Sequence, residues 1–210
     1  MGQGLSSLFG CCLPVSQTPR VQERQRRDED NARKVLHTVC IFSRDDQSNY
    51  NWLAEILNSR FGNNVKEVRH FFISNNGFPR FKEEVSKCTF AILYHTKNRG
   101  RINITDVTDS LYEDELEHLF TAIGAENTII VIDDLEQSDQ QEKDRILQEQ
   151  SKIKSMARDL FLFNREEKQS LLRAQNNQLP YEKGLQDKIQ LIQEIMSKGV
   201  GFSIRHSKNY

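Results

Sequence analysis

The chain has almost no net charge: 29 Lys and Arg stand against 30 Asp and Glu over 210 residues, a formal charge of −1. Without a basic excess there is no generic means of neutralising phosphates, so nucleic acid is not expected as a partner. No apolar run approaches the length that crosses a bilayer, which excludes a transmembrane helix. Cysteine is scarce. The four are the adjacent Cys11 and Cys12, then Cys40 and Cys88, giving neither a disulfide framework nor CxxC metal spacing. The five histidines (His37, His70, His95, His118, His206) show no metal-ligand spacing, and no metal is expected. Cys40 lies inside an apolar run and Cys88 just ahead of one, so both read as small core residues rather than nucleophiles.

Catalytic signatures are missing too. There is no GxxxxGK[ST], no GxGxxG after the first strand, no GxSxG and no HExxH. Residues 129–134 (IIVIDD) have the look of a Walker B strand, but without a P-loop they read as a buried strand ending in Asp. Asp45-Asp46 stand where a phospho-receiver has its acidic pair, yet the third strand ends in Tyr94-His95-Thr96 and offers no aspartate to phosphorylate.

What is present begins at the N-terminus. Met1-Gly2 with Ser6 fits M-G-x-x-x-[ST], in which Met1 is removed and Gly2 is myristoylated because its α-amine is unhindered. One myristoyl chain holds a membrane only marginally, and Cys11 and Cys12 sit where palmitoylation would add the second signal. Residues 20–34 carry six basic and four acidic side chains, a mild attraction to anionic lipid. A secretory signal is not expected, since no basic n-region precedes an apolar h-region. The expected location is therefore the cytoplasmic face of a membrane, the inner leaflet of the plasma membrane. There the sequon Asn103-Ile104-Thr105 would stay unglycosylated.

Residues 1–34 have no periodicity and read as a disordered anchor and linker. Five short apolar runs follow, at 38–43, 68–74, 89–94, 128–133 and 159–163, most of them continuously apolar as strands covered on both faces should be. Helical spacing appears between them at 48–60, 78–87, 108–123 and 138–156, the last capped by Ser138. This alternation predicts a three-layer, doubly wound α/β domain over 35–175, with a five-stranded parallel sheet in the flavodoxin-like order 2-1-3-4-5. A break at 176–180 precedes a C-terminal extension, 176–210, whose helix over 183–198 carries Leu185, Ile189, Ile192 and Ile195 as one stripe expected to pack on the domain.

In a sheet of this order ligands bind beyond the carboxyl ends of the first and third strands. Those ends supply Ser43, Arg44, Asp45 and Asp46 on one side, and His95, Lys97 and Arg99 on the other. An acidic pair facing a basic loop suits a polar or phosphorylated ligand; two solvated turns are the alternative.

Three stretches together resemble a TIR (Toll/interleukin-1 receptor) domain. VCIFSRDDQSNYNWLAEIL at 39–57 is similar to the family's first box. GFPRFKEEVSKCTFAILYHTKN at 77–98 resembles its short helix, following strand and polar turn, and SLYEDEL at 110–116 its acidic Glu-Leu motif. The likeness covers roughly 38–163. It departs at Asn75–Phe78, which lacks the family's Arg-Asp pair, at the insertion 100–109, and at the late Phe-Trp box, absent near Leu171–Arg173. The resemblance implies a signalling adaptor in an innate-immune setting that acts through protein contacts, homotypic ones included, with 75–79 and the acidic helices as surfaces. Some TIR domains instead hydrolyse NAD with a glutamate on the helix after the third strand, which by motif is Glu115 here. NAD would be a substrate and no cofactor is implied; the carboxylate would stabilise the oxocarbenium-like ribosyl centre. Glu113, Asp114, Glu115 and Glu117 also fit a solvated acidic helix face.

Overall fold

The structure, a computed structural model, describes residues 36–177 and 182–198. The chain divides into two units, Met1–Lys34 and Val35–Tyr210. The first, with Gly2, Cys11 and Cys12, lies outside the described residues. In the second, β1 (His37–Ser43), β2 (Val65–Phe72), β3 (Phe90–Thr96), β4 (Thr128–Leu135) and β5 (Asp159–Asn164) form one all-parallel sheet in the order β2-β1-β3-β4-β5. Seven helices accompany it among the described residues: α1 (Asn51–Arg60), α2 (Phe78–Val85), α3 (Glu113–Ile123), α4 (Gln140–Glu149), α5 (Lys152–Met156), α6 (Arg165–Asn177) and α7 (Lys183–Ser197).

Strand side chains alternate between two cores, as a two-residue repeat dictates. Val39, Ile41, Ile92 and Tyr94 meet Trp52, Leu53 and Ile56 of α1, Leu171 of α6 and the stripe of α7. Cys40, Phe42, Leu93 and Ile132 meet Phe81 of α2, Leu116 and Leu119 of α3, Ile146 of α4 and Ile153 of α5. Right-handed crossovers reverse direction between β1 and β3, so helices after β1 and β5 share one face and the rest share the other. Cys40 and Cys88 are both buried. Burial pushes the Cys88 thiol up to about 12 and that of Cys40 higher, so neither is a nucleophile at neutral pH.

Element boundaries depart from the sequence pattern where side chains have tertiary work. β2 starts at Val65 and ends at Phe72, because an edge strand tolerates the polar start Lys66-Glu67 that hides it from an apolar-run search. α3 begins at Glu113, not Thr108: Leu111 N donates to Asn103 O (2.8 Å) and Tyr112 N to Ile104 O (3.1 Å), which ties this stretch, a turn followed by a bend, to the preceding loop. The helical pattern at 138–156 divides into α4 and α5 at Gln150-Ser151. Asp139, not Ser138, caps α4, accepting from Glu142 N at 2.9 Å, while the Ser138 hydroxyl donates to Glu167.

The last helix belongs to the core. Leu185, Ile189, Ile192, Ile195 and Met196 are buried against α1 and the sheet. Its end is tied down by polar contacts as well. His37 Nε2 donates to Met196 O at 2.9 Å, which leaves Nδ1 to accept from the Thr89 hydroxyl at 3.1 Å. Lys188 Nζ reaches Leu162 O (2.9 Å) and Glu167 Oε1 (2.6 Å) across the end of β5.

Candidate functional site

At the carboxyl ends of β1 and β3 the polar side chains converge on Arg44. All three of its guanidinium nitrogens donate: Nε to Leu111 O (2.6 Å), Nη1 to Asn75 Oδ1 (3.0 Å) and Nη2 to Glu115 Oε1 (2.8 Å). Its backbone N donates to the Tyr112 hydroxyl, which in turn donates to Tyr94 O, both at 3.3 Å. Arg99 of the loop after β3 reaches across to the Arg44 carbonyl oxygen. One arginine thereby joins β1, the turn before α2, the loop before α3 and the first turn of α3.

Glu115 is 5% exposed, so the solvated-face alternative fails for this residue. Burial pushes its carboxyl above the ordinary range, opposed by the Arg44 charge. Its neighbours go elsewhere: Glu113 and Glu117 pair with Lys152 of α5, and Asp114 faces solvent. A helix N-terminus favours three acids in its first turn, and tertiary contacts then assign each a different partner.

The remaining crevice candidates do not gather round Glu115. Ser43 is fully buried and its Oγ accepts from Asp45 N at 3.0 Å. Asp45 accepts from Asp46 N (3.0 Å) and Asn49 Nδ2 (2.8 Å), and Asp46 caps the short turn at Gln47–Asn49 through Ser48 N (2.9 Å). Both carboxylates build the turn that launches α1. His95 is fully buried, with Nε2 donating to Arg101 O at 3.1 Å and its ring set edge-on to Tyr112. Burial pushes it down to about 4, so it is neutral at physiological pH and acts as a core residue. Lys97 is exposed and turns away toward α4, where it lines a separate cavity.

A second polar centre, unmarked by any sequence signal beyond the IIVIDD run, closes the end of β4. Asp133 Oδ2 accepts from Trp52 Nε1 (3.0 Å), the Tyr94 hydroxyl (2.6 Å) and Lys168 Nζ (2.8 Å). Asp134 Oδ2 accepts from the Thr96 hydroxyl (2.8 Å), Asn98 Nδ2 (2.9 Å) and the same Lys168 (2.7 Å). Burial pushes Asp133 up against the pull of Lys168, while the hydrogen bonds on the less buried Asp134 outweigh its burial and hold it below the ordinary range. No group of three or more His, Cys, Asp or Glu among the described residues is placed to hold a metal ion.

Arg44 should matter first to stability. Arg44→Met leaves Glu115 buried without a counter-charge and is expected to cost about 3 kcal/mol in urea unfolding. Arg44→Lys should recover only a minor part, since one ammonium lacks the planar fork that reaches three separate acceptors. A Met variant as stable as wild type would deny the clamp. No family model, curated protein or solved structure matches this chain.

Proposed function

We propose that the protein is an interaction module of membrane-proximal signalling, held at the cytoplasmic face of the plasma membrane by acylation of Gly2 and of Cys11 and Cys12. The observation that carries the interaction reading is the Arg44 clamp. Every guanidinium nitrogen is engaged by the chain's own atoms, so the crevice is filled from within, and what it holds in place is the turn at 74–77 and the start of α2. A rigid exposed loop suits recognition of a protein surface, because little order has to be created on binding. Anchoring by two acyl chains would then raise the effective concentration of weak, homotypic contacts. The TIR likeness points to the same class of work.

The test uses two differently tagged full-length copies in one cell. Wild type is expected in the membrane fraction with a proximity signal between copies. Gly2→Ala should become diffuse and lose that signal. Asn76→Arg, an exposed change in the 75–79 loop, should keep the membrane location and weaken the signal at least about tenfold. Equal distribution of wild type and Gly2→Ala would remove the anchor, and an unchanged signal in Asn76→Arg would remove the loop as the surface.

A second reading, an NAD-hydrolysing enzyme, draws on the burial of Glu115 beside the carboxyl edge of the sheet and on the upward push of its carboxyl. It requires Arg44 to release Glu115 to the substrate. NAD turnover by the purified chain, lost in a folded Glu115→Gln variant, would favour it over the interaction reading.

A further inference from the structure

A cavity of about 590 Å³ opens on the other side of the loop after β3, between that loop and α4. Lys97, Arg101, Asn103, Thr108, Arg145 and Gln150 line it, with the acids Asp106 and Glu149. It borders the loop that leaves the carboxyl end of β3, the edge at which open parallel sheets hold ligands. Its size lies inside the roughly 300–1,000 Å³ of ordinary small-molecule sites.

The wall is built rather than loose. Gln150 is 1% exposed, and its amide oxygen accepts from Ile104 N (2.8 Å) and Thr105 N (3.0 Å) while its amide nitrogen donates to Ile102 O (2.8 Å). Ile104 and Thr105 are themselves fully buried. The backbone leaves the helical region at Gln150, between α4 and α5, and the Gln150 side chain fastens the inserted loop there. A ligand entering here would not have to order the wall that receives it.

The charges are unevenly matched. Both Glu149 oxygens lie 2.8 Å from Arg145 Nη1, and Glu142 holds the other side of the same guanidinium. Asp106 accepts from Lys152 N (2.6 Å) and the Thr105 hydroxyl (3.3 Å). Glu149 is thus neutralised by Arg145, while Asp106 is held in place by neutral donors and keeps its charge. Lys97 and Arg101 are exposed, and among the described residues neither head group makes a hydrogen bond or ion pair. Two exposed cations on one rim, Arg101 and a Lys97 that forms no ion pair though it feels the charge of Glu142, make with the polar, pre-formed floor a receptor for an anion.

We propose that this cavity binds a small phosphate-bearing molecule. Arg101 would grip the phosphoryl oxygens as a fork and Lys97 as a point charge, with Asn103 and Thr108 facing the polar remainder. The assignment rests neither on Glu115 nor on membrane attachment.

Calorimetric titration of the full chain with AMP, inorganic phosphate and adenosine tests it. AMP is expected to saturate one site, adenosine not to bind, and each cation removed to weaken AMP about tenfold. The K97E/R101E chain should keep its circular dichroism spectrum and lose the site, while Lys66→Glu, exposed at the start of β2, should bind as wild type does. AMP tighter than phosphate would assign an organic phosphate, and equal affinities would assign free phosphate. Either result supports phosphate recognition. Saturation by neither anion, adenosine binding as tight as AMP, or AMP binding unchanged in K97E/R101E overturns it.

Discussion

A chain ending at Gln178 is expected not to fold cooperatively. Its loss uncovers the core face that Leu185, Ile189, Ile192, Ile195 and Met196 cover in the full chain. Burying an aliphatic side chain of this size stabilises by about 1.5–3 kcal/mol. Five of them amount to the whole of a domain's usual margin, about 5–15 kcal/mol. The truncation also strips Met196 O from His37 and leaves a buried imidazole N–H without its acceptor. A cooperative urea transition in the truncated chain, with the midpoint of the full chain, would refute this. Point variants give a finer check. Ile192→Ala is expected to cost about 3 kcal/mol, whereas Leu191→Ala, at a position 43% exposed on the same helix, should stay within about 0.5 kcal/mol. Deleting the helix therefore does not ask whether it binds a partner, because it removes the domain as well.

The second large effect is expected at Lys168, which neutralises two buried carboxylates at once. Lys168→Met keeps much of the side chain's volume and removes the charge, at a cost of about 3–5 kcal/mol at neutral pH. The pH dependence follows from the direction of the shifts. With the cation gone, burial acts on Asp133 against only its hydrogen bonds from Trp52 and Tyr94, and its folded-state value, already raised, moves further above the unfolded one near 3.9. The folded variant then binds more protons than its unfolded chain, so its stability increases as pH falls from about 7 to about 5. In wild type Asp134 opposes this gain. Its folded value is depressed, so its contribution is present above the unfolded value and is lost as pH falls through the lowered one. Urea unfolding of both proteins at the two pH values decides the matter. Parallel pH slopes would mean that Lys168 does not carry the charge balance. Adding Asp133→Asn to Lys168→Met should restore part of the loss by removing the carboxylate that cannot be hydrated.

Much of the architecture was legible along the chain. Apolar runs of strand length separated by helical spacing require crossovers, and crossovers of one hand lead to the order of the sheet. The α7 stripe was equally plain, because residues at helical spacing reveal a buried face before its partner is known. Glu115 was reached by resemblance, and of the crevice candidates only Arg44 and Arg99 come to it or to its partner. For Asp45 and Asp46 the sequence left a ligand role and a solvated turn both open, because a residue's place at a strand end does not disclose that its oxygens build the next turn.

What only the tertiary structure decided are the networks joining distant segments. Arg44 meets Glu115 across 71 positions, Gln150 meets Ile104 across 46, and Lys168 meets Asp134 across 34. Each pair depends on strand register, on the path of a loop and on which rotamer burial leaves open, and none of these writes a local pattern. Periodicity reports which face of an element is dry. It carries no record of which polar group on another element will be waiting there. Thus the order of the layers and the candidate anchor at Gly2, Cys11 and Cys12 were readable from residue order alone. The Arg44 clamp, the Lys168 charge balance and the cavity behind Lys97 came into view only when the sheet had brought their parts together.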